Sequence, residues 1–213
     1  MINEQPALAA RFRNESVAEQ HSVAVSWDLL MQPRFAQLRK AIYRDTAERD
    51  RFLQLVINCV MATDIVNKEL KELRNARWDK AFNVNSDSAT VEADINRKAT
   101  IVIEHLIQAS DVSHTMQHWH IYRKWNERLF RELYYAWKDG RAEKSPAEFW
   151  AKGEVGFFDF YIIPLARKLK DCGIFGVSSD EYLIYAQKNR NEWESKGEQI
   201  VKKMLEDLES EEV

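Results

Sequence analysis

Two aspartates occupy a similar and unusual place in this sequence. Asp64 follows the apolar run VINCVMAT and Asp111 follows IVIEHLIQAS, so each is predicted to lie where a mostly buried apolar helix ends. A carboxylate in such a place is costly unless a cation, a metal ion or several donors compensate its charge. The helix C-terminus adds a negative partial charge of its own. On this pattern alone, a loop cap or an arginine partner is favoured, and a metal site is the alternative.

The histidines form a second group of residues with potential chemistry. His105, His114, His118 and His120 lie close together in the sequence. His114 and His118 have the i, i+4 spacing that can place two metal ligands on one face of a helix. However, no HExxH motif or comparable glutamate spacing accompanies them, and His120 would point away from the pair. The sequence therefore favours exposed histidines near the start of a helix.

The elements that must position these residues are predicted to be helices. Only six glycines and four prolines interrupt 213 residues, and they fall between stretches with helical periodicity. The predicted helices cover residues 17–30, 50–61, 95–111, 115–137 and 146–168, with a last one beginning after Ser178. The first places Val23, Trp27 and Leu30 on one face, and the second is apolar on most sides and should be buried in a bundle. The predicted fold class is all-α.

Local signals indicate where these helices begin and end. Pro33 interrupts the first one, and residues 82–89 (FNVNSDSA) are predicted to form a polar loop. Residues 145–148 (SPAE) combine an N-cap serine, a proline at the first helical position and a glutamate at the third, which predicts a helix start. Ser178 and Glu181 form a second capping box for the last helix.

Composition limits the class of protein. A chain of 213 residues with 45% apolar residues can fold as one domain with a substantial core. Its 31 basic and 34 acidic side chains leave a net charge of -3, so no broad basic face for nucleic acid is expected. Cys59 and Cys172 are too few for a disulfide framework or a zinc site. No apolar run reaches the roughly 18–20 residues of a membrane span, and residues 1–10 lack signal-peptide features. A soluble intracellular chain is expected.

Several ordered blocks resemble those of the class I cyclic-nucleotide phosphodiesterases. Residues 109–113 (ASDVS) and 122–128 (YRKWNER) are similar to the family's A-D-L-S-N-P and Y-R-x-W-[ST]-[DE]-R. The other blocks are 16–21 (SVAEQH) for S-V-L-E-N-H, 62–64 (ATD) for A-T-D, 153–159 (GEVGFFD) for S-Q-V-G-F-I-D and 189–193 (NRNEW) for N-R-x-x-W. The resemblance covers nearly the whole chain. It implies the multi-helix catalytic fold of the phosphodiesterase (HD-domain) type, of which this chain would be the C-terminal two-thirds.

The resemblance also implies a chemistry and its metal-side residues. Enzymes of this family hydrolyse the 3′ phosphodiester bond of cAMP or cGMP with two divalent metals, zinc and magnesium or manganese, bridged by a hydroxide. Asp111 is similar to the aspartate that binds the first metal, and Thr63 and Asp64 to the pair near the water shell of the second. Glu132 falls where the family keeps a carboxylate that orients the general-acid histidine. Because Glu132 lies one helical turn from Arg128, a salt bridge between them is the alternative.

The same resemblance places the nucleotide-binding residues. Phe157 is similar to the phenylalanine that stacks on the purine, and Leu129 to the aliphatic residue on the purine's other face. Glu154 stands where the family has a glutamine, whose amide can pair with either purine. An ionised glutamate only accepts hydrogen bonds, so Glu154 would favour guanine, which offers N1–H and an amine, unless burial keeps it protonated. His114 and Thr115 replace an asparagine and a proline at the edge of this pocket.

The metal-binding histidine motifs of the family do not occur in this sequence. The family carries H-N-x-x-H-A, H-D and H-D-x-x-H-P-G blocks upstream of the matched ones, and His21 is similar to a different histidine beyond them. One carboxylate cannot hold a two-metal site. The chain as given is therefore expected to bind metal poorly and to lack turnover. Helices 17–30 and 50–61 would also expose apolar surface if neighbouring helices were missing.

The expected protein is a signalling hydrolase of cyclic nucleotides, with a catalytic domain over residues 1–205 and a charged tail over 206–213. Its expected binding partner is a cyclic nucleotide. Other domains of a longer parent chain are expected as well, and a homodimer is compatible with the sequence. The expected location is the cytoplasm, or the cytosolic side of a membrane-attached parent. The alternative is a non-catalytic pseudo-phosphodiesterase that binds nucleotide or a partner. An unrelated helical scaffold would require the ordered blocks to be coincidental.

Overall fold

A computed structural model describes residues 5–82, 91–173 and 179–211 of the chain. Within these ranges every regular element is a helix, which confirms the predicted all-α class. The α-helices are α1 (Pro6–Arg11), α2 (Val17–Met31), α3 (Ala36–Ile42), α4 (Thr46–Ala62), α5 (Lys68–Phe82), α6 (Val91–Asp111), α7 (Trp119–Lys138), α8 (Trp150–Phe157), α9 (Ile163–Asp171) and α10 (Ser179–Glu211). The chain divides into two compact units, Met1–Asp111 and Val112–Val213.

Helix α4 is the centre of the first unit. It packs against α2 and α6 and, over a smaller area, against α5, which itself packs on α6. An N-cap starts α4 earlier than predicted: Asp45 accepts a hydrogen bond from the Glu48 amide at 2.9 Å, and Glu48 accepts one at 2.8 Å from the amide of Arg44, the residue before the cap. The helix ends at Ala62 and leads directly to Asp64, so its position fixes that aspartate.

The burial of α4 differs from the prediction. Ala62 is the buried residue of this helix, and its large apolar side chains are only half-buried. The prediction of a helix buried within a bundle is wrong, because α2, α5 and α6 leave part of its surface open to solvent. On α2, Val25 and Leu29 are 51% and 42% exposed. Both helices therefore present apolar surface, as expected from the sequence.

Helix α10 organises the second unit, where it contacts α7, α8 and α9. The large buried side chains around it are Tyr122, Phe130, Tyr134, Phe158, Ile162, Leu169 and Trp193. At Gly197, a Cβ atom would lie 3.0 Å from the Cβ of Ala151, which is tighter than most real Cβ contacts. The missing side chain of Gly197 therefore allows α8 to come close to α10.

Helix α7 begins later than the predicted residue 115. A 3₁₀ turn, Ser113–Met116, precedes it, Gln117 is extended, and Trp119 is the first helical residue. The cause is Asn189 on α10, whose side-chain nitrogen donates to the carbonyl oxygens of Thr115 at 2.9 Å and Gln117 at 2.8 Å. Those carbonyls are therefore used by a tertiary contact instead of a helical one.

The predicted helix over 146–168 is interrupted in two places. Ser145 does cap a helix start, with its Oγ 3.3 Å from the Ala147 amide, but the element is a 3₁₀ turn, Pro146–Glu148, and α8 starts at Trp150. A π turn, Phe158–Ile162, then separates α8 from α9. Pro164 explains its position, because a proline lacks the amide hydrogen and its ring clashes with the carbonyl four residues earlier.

Some predicted features fall outside the described residues. The polar loop is one: Phe82 is the last residue of α5, and residues 83–90 are not described. Ser178 of the second capping box also lies outside, although α10 begins at Ser179 as predicted to within one residue. The charged tail from residue 206 continues α10 as far as Glu211. The single catalytic domain over 1–205 stays a prediction.

Candidate active site

The predicted site residues belong to the two units separately. The metal-side residues Thr63, Asp64 and Asp111 lie in the first unit. The residues predicted for the nucleotide and the general acid lie in the second, and they are His114, Leu129, Glu132, Glu154 and Phe157. In the first unit, α4, which leads to Thr63 and Asp64, packs against α6, which ends at Asp111.

Asp64 is buried, and its carboxylate caps the loop that follows α4. Oδ2 accepts a hydrogen bond from the Ser16 hydroxyl at 2.6 Å, and Oδ1 accepts from the amides of Val66 at 2.9 Å and Asn67 at 3.1 Å. Burial acts to raise the pKa of Asp64, but hydrogen bonds from Ser16, Asn67 and Val66, with the charge of Arg74, lower it below the ordinary value. Of the alternatives left open by the sequence, Asp64 takes the role of a loop cap.

Replacing Asp64 by alanine is expected to lower the free energy of unfolding of the first unit by about 2 kcal/mol at neutral pH. The physical reason is that the Ser16 hydroxyl and two backbone amides lose a charged acceptor. Because the folded-state pKa of Asp64 is lowered, this stabilisation is present above the pKa of an unfolded aspartate and is lost as pH falls through the folded pKa. Urea unfolding measured across acidic pH reports both effects.

The matched control is Asp28→Ala at an exposed position of α2, which should change stability by less than about 0.5 kcal/mol. An equal loss in the two variants, or an unchanged stability of Asp64→Ala, would contradict the capping role of Asp64.

Asp111 is the exposed last residue of α6. Ile101 and Ala109 bury the apolar side of this helix, but Ser110 and Asp111 in its last turn are exposed. The predicted cost of a buried carboxylate therefore does not apply, since this part of the helix faces water. Within the described part of the chain, Asp111 forms no ion pair with an arginine. Its carboxylate is accessible to a cation.

A buried charged cluster on α5 and α6 supports the helix that carries Asp111. Glu104 is 2% exposed, and its Oε1 lies 2.9 Å from a guanidinium nitrogen of Arg77. Burial raises the pKa of Glu104, and the charges of Arg77 and Arg74 act against that rise. His105 beside it is a core histidine, with Nδ1 2.7 Å from a carbonyl oxygen one turn earlier. This cluster was not predicted, although the glutamate inside the apolar run IVIEHLI was a signal for it.

The hydroxyl of Tyr122 is the polar centre of the second unit. It donates a hydrogen bond to Oε2 of Glu154. Its oxygen accepts from Nε1 of Trp193 at 2.6 Å and from Nδ2 of Asn126 at 3.2 Å. Oδ1 of Asn126 in turn accepts from Nε1 of Trp150 at 3.1 Å. These five side chains, the Tyr122 network, join α7, α8 and α10 around Glu154.

Burial controls the ionisation of the Tyr122 network. It raises the pKa of Glu154, and the hydrogen bonds from Tyr122 and Asn126 reverse only part of that rise. Burial, together with the nearby charge of Glu154, holds the pKa of Tyr122 well above its ordinary value. Tyr122 therefore keeps its proton and remains a donor. Sequence reasoning predicted Glu154 alone, because no local pattern indicates which buried side chains will bond to it.

The other residues predicted to bind the nucleotide lie near this network or on the surface of the same unit. The ring of His114 is stacked on that of Tyr122, with centroids 6.1 Å apart. Phe157 is half-buried and stacks on Tyr161, with centroids 5.5 Å apart. Leu129 is 45% exposed, so it is free to contact a ligand.

Glu132 does not form the salt bridge that the sequence left open. It is exposed, and Arg128 lies over the ring of Trp125 instead, 5.0 Å from the centroid. Within the residues that the structure describes, Glu132 has no ion pair or hydrogen bond. Its carboxylate is therefore available to a partner group.

The histidine pair at i, i+4 does not lie on one helix. His114 is in the 3₁₀ turn, whereas His118 is the N-cap residue of α7. His118 and His120 are exposed, and Nε2 of His118 lies 2.8 Å from the Tyr185 hydroxyl. The preference for exposed histidines near a helix start is confirmed for His118 and His120, whereas His114 is half-buried and His105 is buried. Over the described ranges, no three His, Cys, Asp or Glu side chains are grouped so as to hold a metal ion.

The matched sequence blocks agree with a known protein family. The sequence profile of the family described as 3′5′-cyclic nucleotide phosphodiesterase matches residues 1–174. The chain belongs to this family. Among its relatives, a probable 3′,5′-cyclic-AMP phosphodiesterase (pde-4) of Caenorhabditis elegans is 29% identical over 183 residues, which cover 80% of this chain and 26% of that protein.

Further relatives cover more of this phosphodiesterase-family chain at lower identity. A probable 3′,5′-cyclic phosphodiesterase (pde-3) of Caenorhabditis elegans is 22% identical over 91% of this chain and 28% of its own length. A 3′,5′-cyclic-AMP phosphodiesterase 4C of Mus musculus is 24% identical over 92% of this chain and 29% of its own length. The chain thus spans less than a third of each of these relatives.

The fold is that of the phosphodiesterase domain. The phosphodiesterase domain of the RhoPDE fusion protein from the choanoflagellate Salpingoeca rosetta superposes with a TM-score of 0.68 at 20% identity, covering 96% of this chain and 63% of that one. A second structure, the phosphodiesterase domain of the Salpingoeca rosetta rhodopsin phosphodiesterase, gives a TM-score of 0.66 at 22% identity, over 97% and 62% of the two chains.

The described residues neither complete a metal site nor include a helix that could span a membrane. The two metals implied by the family do not fit the described residues alone, since Asp111 is not accompanied by a second and third ligand there. In the described ranges, each helix is either too short or too polar for a bilayer span.

Proposed function

We propose that this chain supplies the nucleotide-binding part, and one metal ligand, of an enzyme that hydrolyses 3′,5′-cyclic nucleotides to 5′-monophosphates. The observation that carries the proposal is the Glu154 carboxyl, held by Tyr122 in the block where the family binds the purine. The names of the relatives support cyclic nucleotides as the substrate class. Because the chain spans part of their length, the activity is proposed for the whole protein.

The second unit binds the base in this proposal. Phe157 stacks on one face of the purine, and its contact with Tyr161 supports this role by holding the ring in place. Leu129 covers the other face, and His114 contacts the edge where the family has an asparagine. Glu154 pairs with the Watson–Crick edge. The ionised Glu154 accepts two hydrogen bonds from guanine, from N1–H and the amine, but only one from adenine, from its amine. The preferred substrate is therefore cGMP.

The first unit contributes to the metal side. Asp111 would hold the first of two divalent metals, zinc and magnesium or manganese, which together supply the attacking hydroxide when bound. Thr63 and Asp64 would lie near the water shell of the second metal. The capped conformation of Asp64 supports an indirect role, since its oxygens already accept three hydrogen bonds. Glu132 would orient the general acid. The described residues do not complete either metal site, so metal chemistry lies outside what they perform alone.

The test is nucleotide binding and hydrolysis by the 213-residue chain with added zinc and magnesium. Calorimetry is expected to detect cGMP or cAMP binding that Phe157→Ala weakens roughly tenfold or more, because stacking on an aromatic ring is worth about 1–3 kcal/mol per base. Phe160→Ala is the matched control, since Phe160 is 75% exposed on the adjoining π turn. Hydrolysis is expected to stay at background, because the chain supplies one metal ligand.

The two readouts separate the parts of the proposal. If neither nucleotide binds, the nucleotide-binding function is refuted. If the chain binds nucleotide and hydrolyses it clearly, the enzyme activity stands and the expected inactivity of this chain is wrong.

A second candidate function is a non-catalytic nucleotide-binding or partner-binding module. It is favoured by the finding that the described residues form no group of three metal ligands. The sequence that adjoins this chain in its gene distinguishes the two, because histidine motifs in frame would make it part of an enzyme. Other domains of a longer parent, a homodimer and a location in the cytoplasm or on the cytosolic side of a membrane remain part of the proposal.

A further inference from the structure

The hydrogen bonds of the Tyr122 network have a direction that the chemistry of its members fixes. An indole N–H can only donate, so Trp150 must donate to Asn126, and the amide oxygen of Asn126 must face Trp150. The amide nitrogen of Asn126 therefore faces Tyr122 and donates to it. Trp193 is also donor-only and donates to the same hydroxyl. Two tryptophans thus set the orientation of the whole network.

The direction of these bonds determines where the Tyr122 proton goes. A phenol oxygen has two acceptor positions and one proton. Both acceptor positions of Tyr122 are occupied, by Trp193 and Asn126, so its single proton must be donated to Oε2 of Glu154. Glu154 cannot reverse this bond and donate a proton to Tyr122, because the tyrosine oxygen has no acceptor position left.

We infer that the Tyr122 network makes Glu154 a proton-dependent selector of the purine base: any proton that Glu154 binds is directed away from Tyr122, toward the nucleotide. The inference rests on the proposed function and names how that pocket chooses its substrate. An ionised Glu154 takes guanine, and a protonated Glu154 takes adenine as well.

The chemistry of the two bases produces this selection. Adenine offers an acceptor at N1 and a donor at its amine, so it forms two hydrogen bonds with a carboxylic acid and one with a carboxylate. Guanine offers two adjacent donors, N1–H and its amine, to a carboxylate, and it offers O6 and N1–H to the acid. Binding of cAMP therefore takes up a proton when Glu154 starts ionised, whereas binding of cGMP does not.

The surroundings of Glu154 support its role as the titrating group. From α7 it faces Tyr122 and Asn126, and the indole of Trp193 on α10 bonds to the same Tyr122 hydroxyl. Burial raises the pKa of Glu154, and no charged side chain is among the groups that shift it. On α10, which packs against α8, the charge of Arg190 is paired with Asp159 and Glu194. His114 is the other titratable ring next to the network, since it stacks on Tyr122.

The test is calorimetric titration of the 213-residue chain with cAMP and with cGMP between about pH 5.5 and about pH 8.5. The dissociation constant for cAMP is expected to rise by up to about tenfold per pH unit above the pKa of Glu154, because one proton is taken up on binding. The dissociation constant for cGMP should change by less than about threefold over the same pH range. Repeating the titration in buffers of different ionisation enthalpy measures the proton uptake directly.

Variants separate Glu154 from the other groups. Glu154→Gln should bind both nucleotides without pH dependence, whereas a remaining dependence would assign the titration to His114 and overturn the inference. Tyr122→Phe removes a donor to the carboxylate, so it should move the pH midpoint of the cAMP affinity upward. Tyr134→Phe, a second buried tyrosine of α7 outside the network, should leave the midpoint unchanged.

A measurement without nucleotide keeps the inference testable on its own. In the ¹⁵N-labelled chain, the indole N–H signals of Trp193 and Trp150 should shift with one common pH midpoint, and Glu154→Gln should abolish the shift. If the signals do not titrate, or if nucleotide binds with a pH-independent ratio of affinities, the inference is wrong while the proposed function stands. If neither nucleotide binds at any pH, the proposed function and the selection that rests on it fail together.

Discussion

Replacing Trp193 by alanine is expected to lower the free energy of unfolding of the second unit by about 3–5 kcal/mol, the usual cost of removing a buried tryptophan. Trp193 is 1% exposed, and its ring packs edge-on against those of Trp119 and Tyr122. The variant leaves a cavity between α7 and α10, and it also removes the donor to the Tyr122 hydroxyl. Urea unfolding followed by far-ultraviolet circular dichroism measures the loss.

Two further variants divide this effect into its parts. Trp193→Phe keeps most of the ring but removes the indole N–H, so it should cost about 1–2 kcal/mol less than the alanine variant. Trp125→Ala is the matched control, because Trp125 is 51% exposed on the same unit, and it should cost less than about 1 kcal/mol. Similar losses for Trp193→Ala and Trp125→Ala would show that α10 does not organise this core.

Replacing Arg77 by alanine is expected to destabilise the first unit by about 2–4 kcal/mol at neutral pH, because it leaves the buried carboxylate of Glu104 without its ion-pair partner. The loss of stability should lie toward the lower end of this range, because the Arg77 side chain is partly exposed and the charge of Arg74 also acts on Glu104. Urea unfolding at several pH values measures the effect.

The pH dependence and a double variant identify the cause. Burial already raises the pKa of Glu104, and loss of Arg77 raises it further. A carboxyl with a raised folded-state pKa loses stability as pH rises from the unfolded pKa to the folded one, so the Arg77→Ala variant should recover stability in acid. Adding Glu104→Gln to Arg77→Ala removes the unpaired charge and should restore about half of the loss or more. No recovery by either route would rule out the buried charge as the cause.

The helices could be predicted from the sequence because their periodicity is local information. The presence of α2 and the end of α6 at Asp111 follow from residue spacing alone. The start of α7 could not be predicted, since it depends on Asn189, far along the chain, donating to the carbonyls of Thr115 and Gln117. The π turn before Pro164 could not be predicted either, because a proline within a periodic stretch can end, kink or bulge a helix.

The candidate site likewise contains features that could be predicted from the sequence and features that could not. Glu154 is a predicted site residue because its block has a residue of different hydrogen-bonding capacity in the family, and this role stays a prediction. The loop cap at Asp64 was an alternative on the sequence, and its three donors decided between the alternatives. The direction of the Tyr122 network was beyond sequence reasoning, because it depends on how two indoles on different helices meet one amide and one hydroxyl.

The π turn between α8 and α9 makes the orientation of the side chains on α8 independent of the orientation of those on α9. An α-helix rotates about 100° per residue, so every side chain on it is fixed in angle relative to every other. The wider turn at Phe158–Ile162 acts as a one-residue insertion that resets this angle. The face of α9 that buries Leu165 and Leu169 is therefore set independently of the face of α8 that carries Glu154. A change in the residues proposed to read the base would therefore leave the angle of the core-packing face of α9 unaltered.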